Sequence, residues 1–377
     1  MTTTRLVFAT LGALATGAAG CGGGDSGGPD SAPGADARST ADAAPQRALA
    51  IAGVDDLGRL PLPSAGVSGR DGGTGGAFGG RYLWTFGDTF VSTPNAIDGT
   101  HLLSATSGWT AIDDPLALVE PVGKDGNPAQ LIPYTAAEID ANTEDAFNGW
   151  ALWPGNVLDT GDDEALVVFH RIKRTDGTGF ASQGIGTARI ALDATVATRT
   201  EGDLFSLPAR LYTPSQVIDD HVIAFACENV GFLNFGCRMA RAPKAEAEDP
   251  AAYEYWDGDT WQDDEASSVI VLDHAGNAPS ISYNAHLGRW LAVNGDVVSS
   301  TVRLRTAPDY TGPWGEDVLL EASDAGYLAP TAEDAFNYIM LEHPALSASD
   351  GSSIVISYSR PTAAFQGDVR VARITLE

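Results

Sequence analysis

Two aspartates, Asp71 and Asp88, have a spacing that could support acid–base chemistry. They flank Gly79-Gly80, a dipeptide suited to the positive φ angles of a tight two-residue hairpin turn. Pairing residues outward from that turn predicts that Asp71 lies directly opposite Asp88. The Cβ atoms of directly opposed residues are about 4.5–5.5 Å apart. Two carboxyl groups this close raise one pKa of the pair, and hydrolysis of a glycosidic bond requires two carboxyl groups with different roles.

Five similar units of short strands are predicted to position this pair. Alternating or apolar runs separated by Gly, Asp, Asn and Pro indicate an all-β protein. Pro154, Pro214, Pro279 and Pro344 are spaced by 60, 65 and 65 residues, and each precedes a strand rich in β-branched and aromatic residues. Repeats of about 60 residues with four strands each are typical of propeller blades. The sequence therefore predicts a five-bladed β-propeller of four-stranded antiparallel blades, because a β-sandwich would not repeat its motif so evenly.

Further candidate residues occupy equivalent positions in the other blades. In each blade the start of the innermost strand and the end of its partner lie on one face, so these positions should surround the aspartates. Carboxylates, amides, hydroxyls and aromatic rings there are groups that bind sugars. The positions hold Trp153 with His170, Thr213 with Glu228, Asn277 with Asn294, and Glu342 or His343 with Ser359. The predicted substrate-binding residues are Arg70, Trp153, Asn156, His170, Asn277, Glu342 and His343.

The first 49 residues predict an export signal and a tether. Residues 1–20 contain one early charge, Arg5, then an apolar run too short to span a membrane, and small residues that lead to Cys21. This pattern resembles a bacterial lipoprotein signal, in which Cys21 becomes the lipidated first residue. Residues 21–49 are rich in Gly, Asp, Ser, Ala and Pro, which predicts a flexible tether before a single propeller domain at 50–377. We expect an exported protein that is lipid-anchored to a bacterial membrane, with the outer membrane or cell surface favoured.

The charge and the histidine and cysteine content of the chain limit the classes of molecule that it is expected to bind. A formal net charge of −28 in 377 residues argues against nucleic acid and anionic lipid surfaces. Carbohydrate is the expected ligand, the Cys21 lipid the expected membrane contact, and a monomer the expected state. The six histidines are scattered without zinc-site spacing, so no metal or cofactor is predicted, with a structural cation such as calcium near the funnel as the alternative. Cys227 and Cys237 flank a short turn between apolar runs, which favours a cross-strand disulfide in an exported protein.

A series of short motifs runs through residues 50 to 377. They are Asp71-Gly72-Gly73, Trp84-Thr85-Phe86-Gly87-Asp88-Thr89, Trp153-Pro154-Gly155, Arg238–Pro243, Tyr255-Trp256-Asp257-Gly258 with Trp261, Leu287-Gly288-Arg289-Trp290, Thr306-Ala307-Pro308, Thr311-Gly312-Pro313-Trp314 and His343-Pro344. In this order they resemble the domain-of-unknown-function 4185 family, which is related to five-bladed propeller glycosidases. The resemblance implies the same propeller fold.

The same resemblance implies roles for particular acids. Some members of the family are endo-acting arabinofuranosidases that cut D-arabinan, and the motif match then implies that Asp71 and Asp88 are the catalytic pair. Related propellers such as glycoside hydrolase family 43 distribute three acids over three blades, and Glu228 is the nearest candidate for a third acid. Thr74 stands where the family often has an aromatic residue, which affects the expected substrate subsite more than the chemistry.

Two hypotheses of different class follow. The first is an exported, glycoside hydrolase-like lipoprotein that hydrolyses a furanoside-type, arabinan-like glycan with paired aspartates in the axial funnel. The alternative is a non-catalytic propeller lipoprotein that binds glycans or acts as a scaffold, since a fold can persist after its reaction is lost.

Overall fold

The computed structural model describes residues 47–175, 179–231, 234–276, 279–296, 300–321, 336–363 and 366–377. The chain is 55% strand and 8% helix, in five antiparallel sheets that form the ring of a five-bladed propeller. The predicted architecture is confirmed, but the blades contain three to six strands where four were expected in each. The predicted signal at 1–20, Cys21, the tether up to residue 46 and Asn277 lie outside the described residues. No helix in the described ranges is long and apolar enough to cross a membrane.

Blade one is the predicted glycine-rich hairpin with a third strand added. Gly79 and Gly80 have φ angles of 56° and 75°, as a tight hairpin turn requires. Gly69 and Gly76 are needed for packing, because a Cβ on either would collide with the backbone of blade five or blade two, respectively. The hairpin is rich in glycine because it is pressed between two neighbours. The first strands of the chain are β1 (Ile51–Arg59), which joins blade five, and then β2 (Val67–Phe78), β3 (Arg81–Val91) and β4 (Leu102–Ala111) of blade one.

Blade two follows a short, capped helix. The Thr135 hydroxyl accepts a hydrogen bond from the backbone N–H of Glu138, and the Glu138 carboxylate accepts one from the backbone N–H of Thr135. This capping box fixes the start of the helix after Thr135. The Glu138 carboxylate also pairs with Arg199 at 2.7 Å, which attaches the helix to the blade. The elements are α1 (Ala136–Glu144), β5 (Trp150–Leu158), β6 (Glu164–Thr175), β7 (Gly179–Ala191), β8 (Thr198–Arg199) and β9 (Phe205–Ser206).

Blades three and four contain the middle of the chain. In blade three Cys227 and Cys237 are ladder partners joined by a disulfide, the pairing that the sequence favoured. Blade three comprises β10 (Thr213–Ile218), β11 (His221–Gly231), β12 (Asn234–Pro243), β13 (Glu254–Trp256), β14 (Trp261–Gln262) and β15 (Ile270–Leu272). Blade four comprises β16 (Ser280–Asn284), β17 (Arg289–Asp296), β18 (Thr301–Ala307) and β19 (Val318–Leu320). Short 3₁₀ helices lie at Ala146–Asn148, Lys244–Glu246, Pro250–Ala252, Glu265–Ser267 and Pro344–Leu346.

Blade five closes the ring with strands from both ends of the folded chain. Its strands, from the innermost outward, are β20 (Tyr338–Glu342), β21 (Ser353–Ala363), β22 (Gln366–Leu376) and β1. Strand β1 pairs antiparallel with β22, with Ile51 opposite Leu376. The described residues begin at Arg47, before the start of the predicted domain at residue 50. The backbone N–H of Arg47 donates to the carbonyl of Leu287 at 3.2 Å, and Leu49 packs against the hydrophobic core.

The hydrophobic core lies between neighbouring blades. The innermost strands contact one another around the ring, β2 with β5, β5 with β10, β10 with β16, β16 with β20, and β20 with β2. A cluster of buried side chains fills each junction between blades. Leu83 and Phe169 are fully buried between blades one and two, and Leu304 and Ile356 between blades four and five. Because burial of such a side chain contributes about 1.5–3 kcal/mol, these junctions hold the ring together.

Arg70 belongs to this framework, and its predicted role in substrate binding is corrected. Its side chain pairs with Glu120 at 2.6 Å, and its guanidinium carbon lies 4.5 Å from the centroid of the Phe86 ring. Burial lowers the pKa of Arg70, while the charge of Glu120 opposes that effect. Only 2% of Arg70 is exposed, so a ligand has no access to it. The pair ties β2 to the segment that follows β4.

His343 is likewise a core residue and not part of the expected sugar site. Its Nδ1 lies 2.5 Å from the Tyr82 hydroxyl, and its Nε2 lies 2.7 Å from the Ser357 hydroxyl. Its ring centroid is 4.6 Å from that of Trp84. Burial lowers the pKa of His343 to about 3, so the imidazole is neutral near pH 7. Nδ1 joins blade five to blade one and Nε2 contacts Ser357 within blade five, so both ring nitrogens have protein partners, which corrects the prediction.

Glu342 lies at the far end of β20 from its predicted position. The repeat proline of blade five follows the innermost strand instead of preceding it, so Tyr338, and not Glu342, is the ladder partner of Ser359. The buried Glu342 carboxylate accepts hydrogen bonds from the hydroxyls of Ser282 at 2.7 Å and Ser347 at 3.4 Å. A cavity of about 140 Å³ adjoins it. Burial raises the pKa of Glu342 to about 7.

This buried carboxyl predicts a pH-dependent loss of stability that Glu342→Gln should remove. Its folded pKa of about 7 lies above the ordinary value of 4.5, so the folded state holds the proton more tightly. Its contribution is therefore fully present below the ordinary value and is lost as pH rises toward 7. Glutamine does not ionise, and its amide oxygen can still accept a hydrogen bond from one serine hydroxyl while its NH₂ group faces the other. The stability of Glu342→Gln minus that of wild type should therefore be larger at about pH 8.5 than at about pH 5, and thermal unfolding at the two pH values measures this difference.

The matched control is Glu201→Gln, which changes an exposed glutamate. A difference between Glu342→Gln and wild type that is the same at both pH values would contradict the assignment.

Candidate functional site

Asp71 and Asp88 lie together at one end of blade one, although not in the predicted register. The β2–β3 ladder shifts on both sides of Gly72, so Asp71 is not the ladder partner of Asp88. Positive φ angles of 95° at Gly72 and 78° at Gly73 accommodate this bulge. Oδ1 of Asp71 instead accepts a hydrogen bond from the backbone N–H of Asp88 at 2.8 Å. The two residues are therefore joined from side chain to main chain.

Small residues hold the bulge in place. The hydroxyl of Ser359, on β21, accepts a hydrogen bond from the N–H of Gly72 and donates one to its carbonyl, both at 3.0 Å. Gly87 lies against the Asp71 carboxylate, because a Cβ at Gly87 would come within 2.5 Å of Oδ1 of Asp71. A side chain there would push Asp71 away from Asp88. Blade five and the glycines of blade one together set the position of the carboxylate.

Asp88 receives its donors from blade two. Nη2 of Arg174 donates to Oδ1 of Asp88 at 2.6 Å, and Nε1 of Trp153 donates to the same oxygen at 3.0 Å. The side chains of Arg174 and Asp88 are 8% and 17% exposed, so water screens this ion pair only weakly. Trp153 lies near the start of β5 and Arg174 near the end of β6, on the face of the propeller that carries the aspartates.

Asp71 receives neutral donors. The Tyr338 hydroxyl, from blade five, donates to Oδ2 of Asp71 at 2.9 Å. Burial and then the charge of Asp88 raise the pKa of Asp71 to about 7, although the hydrogen bonds from Tyr338 and the Asp88 backbone and the charge of Arg174 lower it. Burial and the Asp71 carboxylate raise the pKa of Tyr338 well above its usual range. Tyr338 therefore remains a neutral phenol, and its hydroxyl is the donor in the hydrogen bond to Asp71.

Arg174 is held firmly in place. Its Nη1 donates to the carbonyl of Trp150 at 2.8 Å, and the Tyr134 hydroxyl donates to the same carbonyl at 3.1 Å. Burial disfavours the charge of Arg174, but Asp88 and Tyr134 outweigh burial and raise its pKa. Burial also raises the pKa of Tyr134 to about 12, so it stays a phenol near pH 7. The guanidinium is thus a permanent positive charge directed at Asp88.

Aromatic side chains line the site on the side of blade two. The rings of Trp153 and Phe180 meet edge to face with centroids 4.8 Å apart. His170 is the ladder partner of Trp153, as the sequence predicted, and burial lowers the pKa of His170 to about 4. The imidazole is therefore neutral near pH 7. Phe180 was not predicted, because it lies on the third strand of the blade.

Glu228 and Asn156 have other partners than those expected. The Glu228 side chain is 44% exposed and forms a surface ion pair with Arg210 at 2.8 Å, and its role as a third acid stays a prediction. Thr213 is the ladder partner of Phe225, three residues before Glu228, which explains the misplacement. The Asn156 amide donates to the carbonyl of Ser215 at 2.6 Å, where it ties blade two to blade three. The Asn156 amide thus has a structural partner, and its contact with substrate stays a prediction.

No group of three or more His, Cys, Asp or Glu side chains within the described ranges is arranged to hold a metal ion. A groove of about 960 Å³ runs between the outer strands of blades three and four, where Trp256, Trp314 and Arg305 line it. Asp71 and Asp88 line neither this groove nor the cavity beside Glu342.

Arg174 and Tyr338 complete the site, and the sequence analysis did not identify them. A signal for Tyr338 was present, because Glu-Asp-Ala-Phe-Asn occurs at 144–148 and at 333–337, directly before Tyr338. The first copy is followed two residues later by Trp150, whose carbonyl binds Arg174. Both copies thus precede residues of the site. Arg174 itself had no marker, because it is one of several basic residues on an ordinary strand.

Solved glycoside hydrolases have a similar fold. The exo-β-1,3-galactanase from Phanerochaete chrysosporium with β-1,3-galactotriose superposes with a TM-score of 0.51 at 13% identity, over 85% of this chain and 64% of that chain. Its complex with galactose gives 0.50 at 14% identity, over 82% and 61%. The GH43_1 enzyme from Xanthomonas citri gives 0.49 at 11% identity, over 84% and 90%. The chain spans less than two thirds of the galactanase, and the galactanase comparison shows a glycoside hydrolase-like fold.

Sequence comparison matches a shorter part of the chain than the structural superpositions do. No curated protein matches the chain. The family model described as Domain of unknown function (DUF4185) matches residues 191–359, a shorter span than the motifs at 50–377 suggested. The matched span begins after both aspartates and Arg174, so it includes Tyr338 but not the rest of the site. The predicted resemblance is confirmed over residues 191–359, where the chain matches the DUF4185 family.

Proposed function

We propose that this chain is a glycoside hydrolase whose catalytic groups are Asp71 and Asp88. One observation carries the proposal: these adjacent carboxyl groups have unlike partners, the charged Arg174 on Asp88 and the neutral Tyr338 on Asp71. A glycosidase needs one protonated and one ionised carboxyl group at the same pH, and unlike surroundings produce that difference. The glycoside hydrolase-like fold supports the proposal.

Asp71 is the proposed general acid. Its pKa of about 7 keeps part of the population protonated near neutral pH. Its proton passes to the oxygen of the leaving sugar, and the bond between that oxygen and the anomeric carbon breaks with its electron pair going to the oxygen. Asp88 acts as nucleophile or base. Water adds its hydroxyl group to the anomeric carbon and returns its other proton to the pair, which restores the site.

The proposed substrate is a furanoside-type, arabinan-like glycan. The resemblance of the blade-one motifs to endo-acting arabinofuranosidases supports this class. Trp153 and Phe180 supply aromatic surface next to Asp88, and aromatic side chains offer a sugar ring a large apolar contact area. Because the galactanases of similar fold act on β-1,3-galactan, that polymer belongs in the same screen.

Asp71→Asn and Asp88→Asn should each reduce hydrolysis of the true substrate by about 10²–10⁴-fold, because each removes a group that transfers a proton or stabilises the anomeric carbon. The measurement is release of reducing ends from arabinan, fructan and β-1,3-galactan. Asp113→Asn, at an exposed position, is the matched control and should keep wild-type activity. Unchanged hydrolysis in both site variants would reject these catalytic roles. Retained glycan binding without hydrolysis by the wild type would favour the non-catalytic alternative.

The pH dependence of hydrolysis should show a falling limb above about pH 7. The acid must carry a proton, and the pKa of Asp71 is raised to about 7, so the active fraction decreases as pH rises through that value. Initial rates at low substrate concentration between about pH 4 and 9 measure the limb. A rate that keeps rising through this range would contradict Asp71 as the acid.

We also propose that the chain is exported and anchored through a lipid on Cys21, on the basis of residues 1–21. Cys21→Ser should move the protein from the membrane fraction to the soluble fraction of a bacterial host and abolish incorporation of a labelled fatty acid. Ser26→Ala, in the same segment, should leave both unchanged. Continued membrane association of the Cys21→Ser protein would contradict the anchor.

A further inference from the structure

The two aspartates receive donors of different charge from opposite sides. Oδ1 of Asp88 accepts from the Arg174 guanidinium at 2.6 Å and from the Trp153 indole at 3.0 Å. Asp71 accepts from the Tyr338 phenol at 2.9 Å and from a backbone N–H at 2.8 Å. A positively charged donor favours the ionised form of a carboxyl group through its charge as well as its hydrogen bond, whereas a neutral donor contributes the hydrogen bond alone. The arrangement therefore distinguishes two carboxyl groups that would otherwise compete for one proton.

Arg174 is built to serve one aspartate. Its Nη1 is committed to the Trp150 carbonyl at 2.8 Å, which Tyr134 also contacts, and this leaves Nη2 directed at Asp88. With 8% of its side chain exposed, the guanidinium has little room to swing toward Asp71. Its direction is thus a feature of blade two and independent of any ligand.

We propose that Arg174 is the positioning residue that assigns the shared proton of the pair to Asp71, by holding Asp88 as the carboxylate. This inference rests on the proposed hydrolase function and adds a specific origin for the two roles. The charged and titratable groups facing Asp71 are Asp88, Tyr338 and Arg174. Asp88 faces Arg174 and Asp71, with Tyr134 and Tyr338 also within electrostatic range. Arg174 is the only positive group in these two sets of described residues.

The assignment also explains how the site would reset. After hydrolysis the proton that left Asp71 has gone to the released sugar, and the water molecule supplies its replacement. The two carboxylates then compete for that proton. Arg174 keeps its own protons throughout and disfavours protonation of Asp88, so the proton returns to Asp71. No oxidant, reductant or further reactant takes part.

The test is a carboxyl titration of the protein labelled with ¹³C at the aspartate side-chain carboxyl carbon. Difference spectra against Asp71→Asn and Asp88→Asn assign the two signals, and the apparent pKa values belong to the coupled pair. In wild type the signal that titrates near pH 7 should disappear in Asp71→Asn. If it disappears instead in Asp88→Asn, the proposal is overturned.

Arg174→Gln should abolish the preference of the shared proton for Asp71 over Asp88. A positive charge nearby favours the ionised form of a carboxyl group, so without Arg174 the Asp88 carboxyl should compete with Asp71 for the shared proton. Loss of the Arg174 charge also removes a direct stabilisation of the Asp71 carboxylate, so the near-neutral titration should appear in both aspartate signals instead of in that of Asp71 alone. If both signals titrate as in wild type, Arg174 does not assign the proton.

Matched variants separate this effect from general damage. Arg189→Gln makes the same substitution on the next strand of blade two, where Arg189 pairs with Glu248, and should leave both titrations unchanged. Arg174→Lys retains the positive charge and should keep the order of the two aspartates.

If Arg174→Gln does not fold, Trp153→Phe is used to test the proposal instead. It removes the neutral donor from the same oxygen of Asp88, and the order should survive. Transfer of the near-neutral titration to Asp88 in Trp153→Phe would assign the role to the indole and overturn the proposal. None of these titrations needs turnover, so the failure of this inference is distinguishable from failure of the hydrolase proposal.

Discussion

Closure of the propeller ring is the constraint on which the whole site depends. Strand β1 pairs with β22, so blade five contains both ends of the folded chain and holds β20 against β2. This contact brings Tyr338 to Asp71, while blade two brings Arg174 to Asp88 from the other side. Blade one supplies two chemically identical side chains. They differ because the ring gives blade one a different neighbour on each side.

The electrostatics of this arrangement oppose stability. Burial raises the pKa of Asp71 and of Glu342 to about 7, so an ionised carboxyl at either place weakens the folded state near and above that pH. The net charge of −28 adds repulsion of the same sign. Glu342 has only hydroxyl partners among its hydrogen bonds described above. Asp71 also has the Asp88 carboxylate beside it, and the Arg174 guanidinium binds Asp88. Functional sites commonly retain such a cost when the reaction requires it.

Local patterns in the sequence explain what could be predicted. Strand alternation and evenly spaced prolines report the blades, and Gly79-Gly80 places the two aspartates at one end of a hairpin. The bulge at Gly72 depends on Ser359, 287 residues away, and no local pattern reports that contact. For the same reason Arg70 and His343 looked like exposed binding residues, although both are buried, Arg70 in an ion pair with Glu120 and His343 against the Tyr82 hydroxyl. Arg174 and Tyr338 act across blade junctions, where side-chain type and spacing carry little information.

The proposed site of glycan cleavage lies at the junction of blades five, one and two, between Asp71 and Asp88. The most direct measurement is a crystal structure of the Asp71→Asn protein with an oligosaccharide of the substrate that the polymer screen selects. Cleavage there predicts an anomeric carbon beside Asp88 and a glycosidic oxygen within hydrogen-bond distance of the residue at position 71. An oligosaccharide bound only elsewhere, such as in the groove lined by Trp256 and Trp314, would contradict it.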